Sequence, residues 1–355
     1  MRDRWIIAMG IAAMISTSEW VGPTRVAAQA PTGVTGSSSP PRTGWGDPDL
    51  QGVWNFASDT PMERPAEFGS RAFLTDEEIA KRARATVERR FKQDNQQAAV
   101  EAGPAGLEGA GGNYNRFWTD HPRASRQTSF VIDPPDGRIP PHTSVAKRSY
   151  AELETIRKGI DLDAPTPGGF VEDLGPRGLF TRCILGFNSG PPMTPCCYNE
   201  NVQIFQTPDH VVLLNEIVHS ARIIPLDGRP HVSHAIRQWM GDSRGRWENN
   251  TLVVTTTNFR DIVLDVGGRT RPNGAGLTLV ERFSRTPDDT LLYQFTINDP
   301  GWYTAPWTAQ IPMLKSQERL FEYACHEGNY SMINILAGAR AREQKAAAEA
   351  EKRQP

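Results

Sequence analysis

The sequence carries little net charge and lacks the familiar motifs of metal and phosphate chemistry. Its 39 Lys and Arg residues nearly balance 41 Asp and Glu residues, giving a net charge of −2. This balance argues against a nucleic-acid partner, which needs a cationic surface. There is no His-Glu-x-x-His zinc motif, and no glycine-rich loop ends in Lys-Ser or Lys-Thr. The sequence therefore implies no cofactor.

Long apolar runs are absent except near the N-terminus. A basic start is followed by the apolar stretch Trp5–Ile15, which is too short to span a bilayer, and then by small residues. This pattern predicts a cleaved secretory signal over residues 1–30, with cleavage after Ala28 or Ala30. An uncleaved anchor is the alternative. No membrane span is predicted after cleavage.

Cysteine is scarce, and export decides how the cysteines are interpreted. The chain has four, namely Cys183, Cys196, Cys197 and Cys325. In an oxidising compartment disulfides are expected rather than metal–thiolate sites. The adjacent pair can close on itself only through a strained ring, so Cys183 is expected to pair with one of them or with Cys325. We predict at least one disulfide, involving Cys183.

Proline and glycine are abundant, and they point to a protein rich in β-strands and loops. The chain has 28 prolines and 31 glycines, and its mean hydropathy is −0.49. We predict a flexible lead-in over residues 31–48, one β-rich domain over residues 49–338, and a charged helical tail over residues 339–355. The Pro- and Gly-rich stretch Ile160–Asn201 is expected to wrap irregularly around the sheet.

Segments rich in β-branched and alternating apolar residues predict most of the strands. Turn tripeptides and Asp-Gly or Asn-Asn pairs separate several of them, as antiparallel hairpins require. We predict an antiparallel meander that forms a lipocalin-like (calycin-like) barrel or a strongly curved sheet, with peripheral helices. The expected strands include Val202–Thr207, Val211–Ile224, Thr251–Phe259, Leu277–Arg285, Thr290–Asn298, Trp307–Ile311 and Glu318–Cys325.

One charged residue falls on an apolar strand face. Period-two alternation places Glu281 on the same side as Leu279 and Phe283. A buried carboxylate is costly unless it is paired or protonated, so it is a candidate general acid or base. The alternative is a structural ion pair with an arginine such as Arg222.

Further candidates for proton transfer lie on the predicted strand Val211–Ile224. As one continuous strand it places Asn215 and His219 on one face and Arg222 on the other. His219 is a candidate catalytic base, or else a hydrogen-bonded core histidine. Arg222 or Arg282 would hold developing negative charge.

Aromatic residues along the strands suggest a binding pocket. Together with the amide of Asn215 they could line an apolar site that has a few polar anchors, or they could form the core of a large sheet. The candidate ligand-binding residues are Trp239, Trp247, Tyr293, Trp307 and Asn215.

Two other local patterns are interpreted as structural. His231 and His234 are three residues apart, but they lack the helical context of a zinc motif, so a metal site is disfavoured. The glycines and serine of Gly241–Gly245 suggest a nucleophile elbow, but the flanking sequence is not that of a strand leading into a helix. A turn capped by Asp and Ser side chains is expected there instead.

Motifs along most of the mature chain resemble a large group of exported proteins from environmental bacteria. They are DLQGVW, HSARIIPLDGRPH, GDSRGRWENNTLVVTTTNF and FEYACHEGNY. The resemblance implies a secreted β-rich protein and transfers no catalytic residue. The similarity to lipocalin-like barrels is at the level of the fold.

Two functions are compatible with these features. The first is an exported, lipocalin-like protein that binds a small apolar or aromatic molecule. The alternative is a hydrolase or lyase that uses Glu281 and His219 for acid–base chemistry on such a molecule in the same pocket.

Overall fold

The protein is built on antiparallel β-strands. The structure is a computed structural model that describes residues 40–95, 122–123, 125–158, 176–196, 198–260, 262–264, 270–272, 274–286 and 289–353. The predicted signal at residues 1–30 and most of the lead-in lie outside the described residues. The strands are β1 (Gly52–Asn55), β2 (Val131–Asp133), β3 (Asn201–Gln206), β4 (His210–Asn215), β5 (Ala221–Pro225), β6 (Asp242–Glu248), β7 (Thr251–Thr257), β8 (Ile262–Leu264), β9 (Thr270–Pro272), β10 (Thr278–Arg285), β11 (Thr290–Asn298) and β12 (Trp307–Ser316).

Ten of these strands form one sheet. Its order is β5-β4-β3-β1-β12-β11-β10-β7-β6, with β2 also paired to β12. Every pairing in it is antiparallel. The short strand β1 lies between β3 and β12. It therefore joins the strands β3, β4 and β5 on one side to the strands β12, β11, β10, β7 and β6 on the other. Strands β8 and β9 form a separate hairpin.

The sheet curls until its two ends approach each other. β5 and β6, the first and last strands of the order, are in contact without forming a ladder in the described part of the chain. The approach is close, because a Cβ added to Gly245 of β6 would lie 2.9 Å from Cγ2 of Ile224 on β5. The sheet is therefore strongly curved and not closed, which is the second of the two predicted forms.

Strand alternation fills the inside of the curve with large apolar side chains. Trp54, Phe283, Tyr293, Phe295 and Trp307 are all fully buried in one cluster. Phe295 lies edge-on to Trp307, with 5.8 Å between ring centroids. Such pairs prefer edge-to-face contact because the ring edge is positive and the ring face negative.

Helices lie at the periphery of the sheet. They are α1 (Asp76–Asn95), α2 (Ser144–Arg157), α3 (Pro176–Thr181) and α4 (Tyr330–Arg353). A capping box precedes α1: Glu78 N–H donates to Thr75 Oγ1, and Thr75 N–H donates to the Glu78 carboxylate. No helix among the described residues is both long and apolar enough to cross a membrane.

The prediction of one strand over Val211–Ile224 is wrong. The segment is a hairpin in which β4 ends at Asn215, a 3₁₀ turn covers Ile217–His219, and β5 begins at Ala221. Val218 and His219 adopt the left-handed conformation, with φ of 58° and 47°. The turn is held by Asn215 N–H donating to Ser220 O and by the buried Glu216 carboxylate, which accepts two Asn amides.

The strand expected at Glu318–Cys325 does not form either. Strand β12 is already paired with β1 and β11, so the segment that follows it has no free edge there to extend. Instead, Tyr323 N–H donates to Nε2 of His219. The chain then continues into α4.

A disulfide joins Cys183, which follows α3, to Cys325, which precedes α4. The predicted disulfide is thus present, and its partner is Cys325 rather than Cys196 or Cys197. Its two cysteines are 142 residues apart in sequence. Such a bond fits an oxidising compartment.

Loss of the disulfide should destabilise the fold. A cross-link over so long a loop restricts the unfolded chain strongly, so Cys183→Ser/Cys325→Ser should lower the free energy of unfolding by about 2–4 kcal/mol. Urea unfolding with and without reductant measures the loss. The wild type should shift to a lower midpoint on reduction and the double variant should lose that response. An unchanged wild-type midpoint would contradict the expected role of this bond.

Candidate functional site

The interior of the sheet contains a buried polar cluster. Arg222 enters from β5, Glu281 from β10 and Tyr293 from β11. Arg222 donates from Nη1 to Glu281 Oε2 at 2.5 Å and from Nη2 to Oε1 at 2.9 Å. The Tyr293 hydroxyl donates to the same Oε1 at 2.7 Å. Both carboxylate oxygens are therefore engaged.

Alternation explains why these polar groups face inward. Glu281 lies between the inward-facing Leu279 and Phe283 and is 0% exposed, as the sequence predicted. Arg222 is 7% exposed. Two ions removed from water are tolerated only when they pair with good geometry, and the two-point contact of the guanidinium provides it. The ion-pair interpretation of Glu281 with Arg222 is confirmed.

Burial and charge in the cluster shift the pKa values of its members. Burial raises the pKa of Tyr293 well above 10, and the neighbouring Glu281 carboxylate raises it further, whereas Arg222 opposes the shift. Burial alone would lower the pKa of Arg222, but the charge and hydrogen bonds of Glu281 reverse this and raise it. Arg222 therefore remains a cation and Tyr293 a neutral phenol near neutral pH.

An irregular segment covers this cluster. Residues 186–193, the cover segment, follow α3 and belong to the stretch expected to wrap the sheet. Met193 N–H donates to the Tyr293 hydroxyl at 3.1 Å, and the Asn215 side-chain amide donates to Ser189 O at 3.2 Å. Met193 is fully buried in the core. A Cβ on Gly186 would lie 2.4 Å from Cγ2 of Ile217, so only glycine fits there.

The structure brings together part of the predicted proton-transfer set. Arg222, Glu281 and Tyr293 are in direct contact. His219 is not brought to them, because it lies exposed on the turn after β4 and its Nε2 accepts from Tyr323 N–H. Arg282 points to the opposite face of β10, where both terminal nitrogens donate to Glu248 at 3.0 Å.

Only some of the predicted ligand-binding residues face the interior of the sheet. Tyr293, Trp307 and Asn215 face the interior and are buried. Trp247 is partly buried against the core. Trp239 lies on the loop before β6, under the guanidinium of Arg260 at 4.7 Å from the ring centroid.

The two histidines considered for a metal site have different surroundings. His231 Nδ1 is 2.9 Å from Asp242 Oδ2, and Arg244 also pairs with Asp242, while His234 is exposed. Among the described residues no group of three His, Cys, Asp or Glu is arranged to hold a metal ion.

The turn expected at Gly241–Gly245 is wrong beyond its first residue, because β6 begins at Asp242. Ser243 is buried within that strand and lies 2.9 Å from the hydroxyl of Thr256 on β7, the neighbouring strand. A serine in the middle of a paired strand has none of the exposure of a nucleophile elbow.

Sequence reasoning missed the residues of the cover segment. Its Pro- and Gly-rich composition predicted an irregular path, but no periodic pattern says which residues of such a path touch the sheet.

No protein-family model matches the chain, and no curated protein is similar to it in sequence.

Breaking the buried ion pair should cost more than removing it entirely. Arg222→Met or Glu281→Leu alone leaves a buried charge without its partner, so each should lower the free energy of unfolding by about 3–5 kcal/mol. The double variant leaves no unpaired charge, so it should lose less than either single variant. Urea unfolding of the four proteins measures this coupling, and strictly additive losses would show that the two side chains do not interact.

The raised pKa of Tyr293 predicts a loss of stability at alkaline pH. Above about pH 10 the unfolded chain releases this proton while the folded protein keeps it. The folded state then binds more protons, so the free energy of unfolding falls as pH rises, by at most about 1.4 kcal/mol per pH unit for this group.

Unfolding of the Tyr293→Phe variant at a series of pH values between about 9 and 11.5 tests this. The variant should show a shallower decline than the wild type. The exposed Tyr330→Phe variant is the matched control and should keep the wild-type slope. Equal slopes for all three proteins would rule out the effect.

Proposed function

We propose that this protein is exported and binds a small apolar or aromatic molecule inside the curved sheet, beneath the cover segment. The observation that carries the proposal is the buried Arg222–Glu281–Tyr293 cluster, set in an aromatic interior and covered by a segment without regular structure. Small-molecule sites combine an apolar lining with a few placed polar groups in this way.

The interior has the chemistry of such a site. Phe283, Phe295 and Trp307 make the interior apolar, and transfer of the ligand's own apolar surface from water into it supplies most of the binding energy. The ion pair adds fixed polar atoms whose own hydrogen bonds prevent them from moving. The charges balance inside the cluster, which favours a ligand without net charge.

The cover segment offers a route for entry. Hydrogen bonds at Ser189 O and Met193 N–H tie it to interior-facing side chains, and it contributes no strand to the sheet. It can therefore lift without breaking a ladder of backbone hydrogen bonds. Segments with few such bonds open at lower free energy than core strands.

The N-terminal sequence and the disulfide support export. Residues 1–30 have the pattern of a secretory signal, and the Cys183–Cys325 bond is of the kind kept in oxidising compartments. The proposed location is the periplasm or the cell exterior.

No contact among the described residues favours the acid–base alternative. Both oxygens of Glu281 accept from Arg222, one also accepts from Tyr293, and His219 is exposed elsewhere. A hydrolase or lyase stays a prediction from the sequence.

Binding of N-phenylnaphthylamine, whose fluorescence rises in apolar surroundings, tests the proposed function. We expect saturable binding to the folded protein. Tyr293→Phe removes the hydrogen bond to Met193 N–H, so the probe should associate and dissociate faster, by about fivefold for a bond worth about 1 kcal/mol.

Tyr330→Phe is again the control, because it changes an exposed phenol on α4. It should leave both rates unchanged. Absence of saturable binding would refute the proposed function. Binding with identical rates in Tyr293→Phe would show that the probe does not enter beneath the cover segment.

A further inference from the structure

Two buried side-chain oxygens in or beside the cover segment have no hydrogen-bond partner among the residues that the structure describes. They are Oδ1 of Asn188, within the segment, and Oδ1 of Asn215, at the end of β4. These residues are 1% and 4% exposed. A buried amide oxygen without a donor loses the hydrogen bonds of water and gains none in return, at a cost of about 1–3 kcal/mol.

The orientation of both amides is fixed by their nitrogen atoms. Asn215 Nδ2 donates to Ser189 O, and Asn188 Nδ2 donates to Tyr198 O at 2.9 Å. A carbonyl oxygen can only accept, so turning either amide over would set oxygen against oxygen. The atoms left without partners are therefore acceptors, and each needs a donor.

Both acceptors lie at the cover segment. The Asn215 amide contacts Ser189, the residue that directly follows Asn188. The same segment then reaches Tyr293 through Met193. The acceptors thus lie in the part of the structure where the proposed function places the ligand.

We propose that the ligand carries a neutral O–H or N–H group, and that each such hydrogen is donated to the side-chain oxygen of Asn215 or of Asn188. This inference rests on the proposed function and names the ligand class: phenols, aromatic alcohols or aromatic amides. The charges of Arg222 and Glu281 balance each other, so this pair offers no free counter-charge to a buried ammonium group, and we infer an uncharged donor.

A matched pair of compounds tests the donor requirement. Naphthol and methoxynaphthalene have the same ring system, but only naphthol can donate a hydrogen bond. Calorimetric titration of the wild type should show naphthol binding about tenfold more tightly, the ratio expected when one hydrogen bond of roughly 1.4 kcal/mol is lost.

Substitution at the acceptor should remove this preference. Asn215→Leu keeps similar bulk and deletes the oxygen, so the two compounds should bind with similar affinity. Asn55→Leu is the matched control, because the Asn55 oxygen already accepts from Ala57 N–H and its nitrogen donates to Asn201. It should keep the tenfold ratio. Circular dichroism melting shows whether both variants are folded. If Asn215→Leu is not folded, the test is repeated with Asn188→Leu.

The outcomes separate the two proposals. Equal binding of naphthol and methoxynaphthalene to the wild type would overturn the donor inference, because a buried water rather than the ligand would then satisfy the acceptors. The binding function would stand. A preference that persists in both Asn215→Leu and Asn188→Leu would also overturn it. Failure of N-phenylnaphthylamine and of both naphthalenes to bind would remove the proposed function and the inference together.

Discussion

The ion pair between Arg222 and Glu281 is the contact on which the interior of this protein depends. β5, which carries Arg222, is the first strand of the sheet order, and β10, which carries Glu281, is the seventh. In the part of the chain that the structure describes, the ends of the sheet meet without a ladder, so backbone hydrogen bonds do not fix the distance across the curve. The two-point contact of guanidinium and carboxylate does so, in a region from which water is excluded.

The same pair determines how the cover segment is attached. Glu281 accepts from the Tyr293 hydroxyl, which leaves the phenol oxygen free to accept from Met193 N–H. The ion pair, the phenol and the backbone of the cover segment therefore form one chain of hydrogen bonds. A change at any member therefore affects both the stability of the core and the attachment of the cover segment.

Local patterns in the sequence predicted the elements that depend on local rules. Alternation placed Glu281 inside, and turn residues marked the hairpins. The reversal after β4 had no such signal, because Val218 is β-branched and residues of that kind rarely adopt a positive φ. That missed turn moved His219 to the surface and Arg222 to the interior. The strand order and the contacts of the cover segment depend on distant residues, which periodicity does not report.

The disulfide has a consequence for proteolysis. Cys183 and Cys325 enclose most of the strands of the sheet, from β3 to β12. A single cut anywhere between them yields two fragments that stay covalently joined. Nicked molecules would therefore run as one species on a non-reducing gel and separate only after reduction. The protein can thus lose chain continuity without losing half of its sheet.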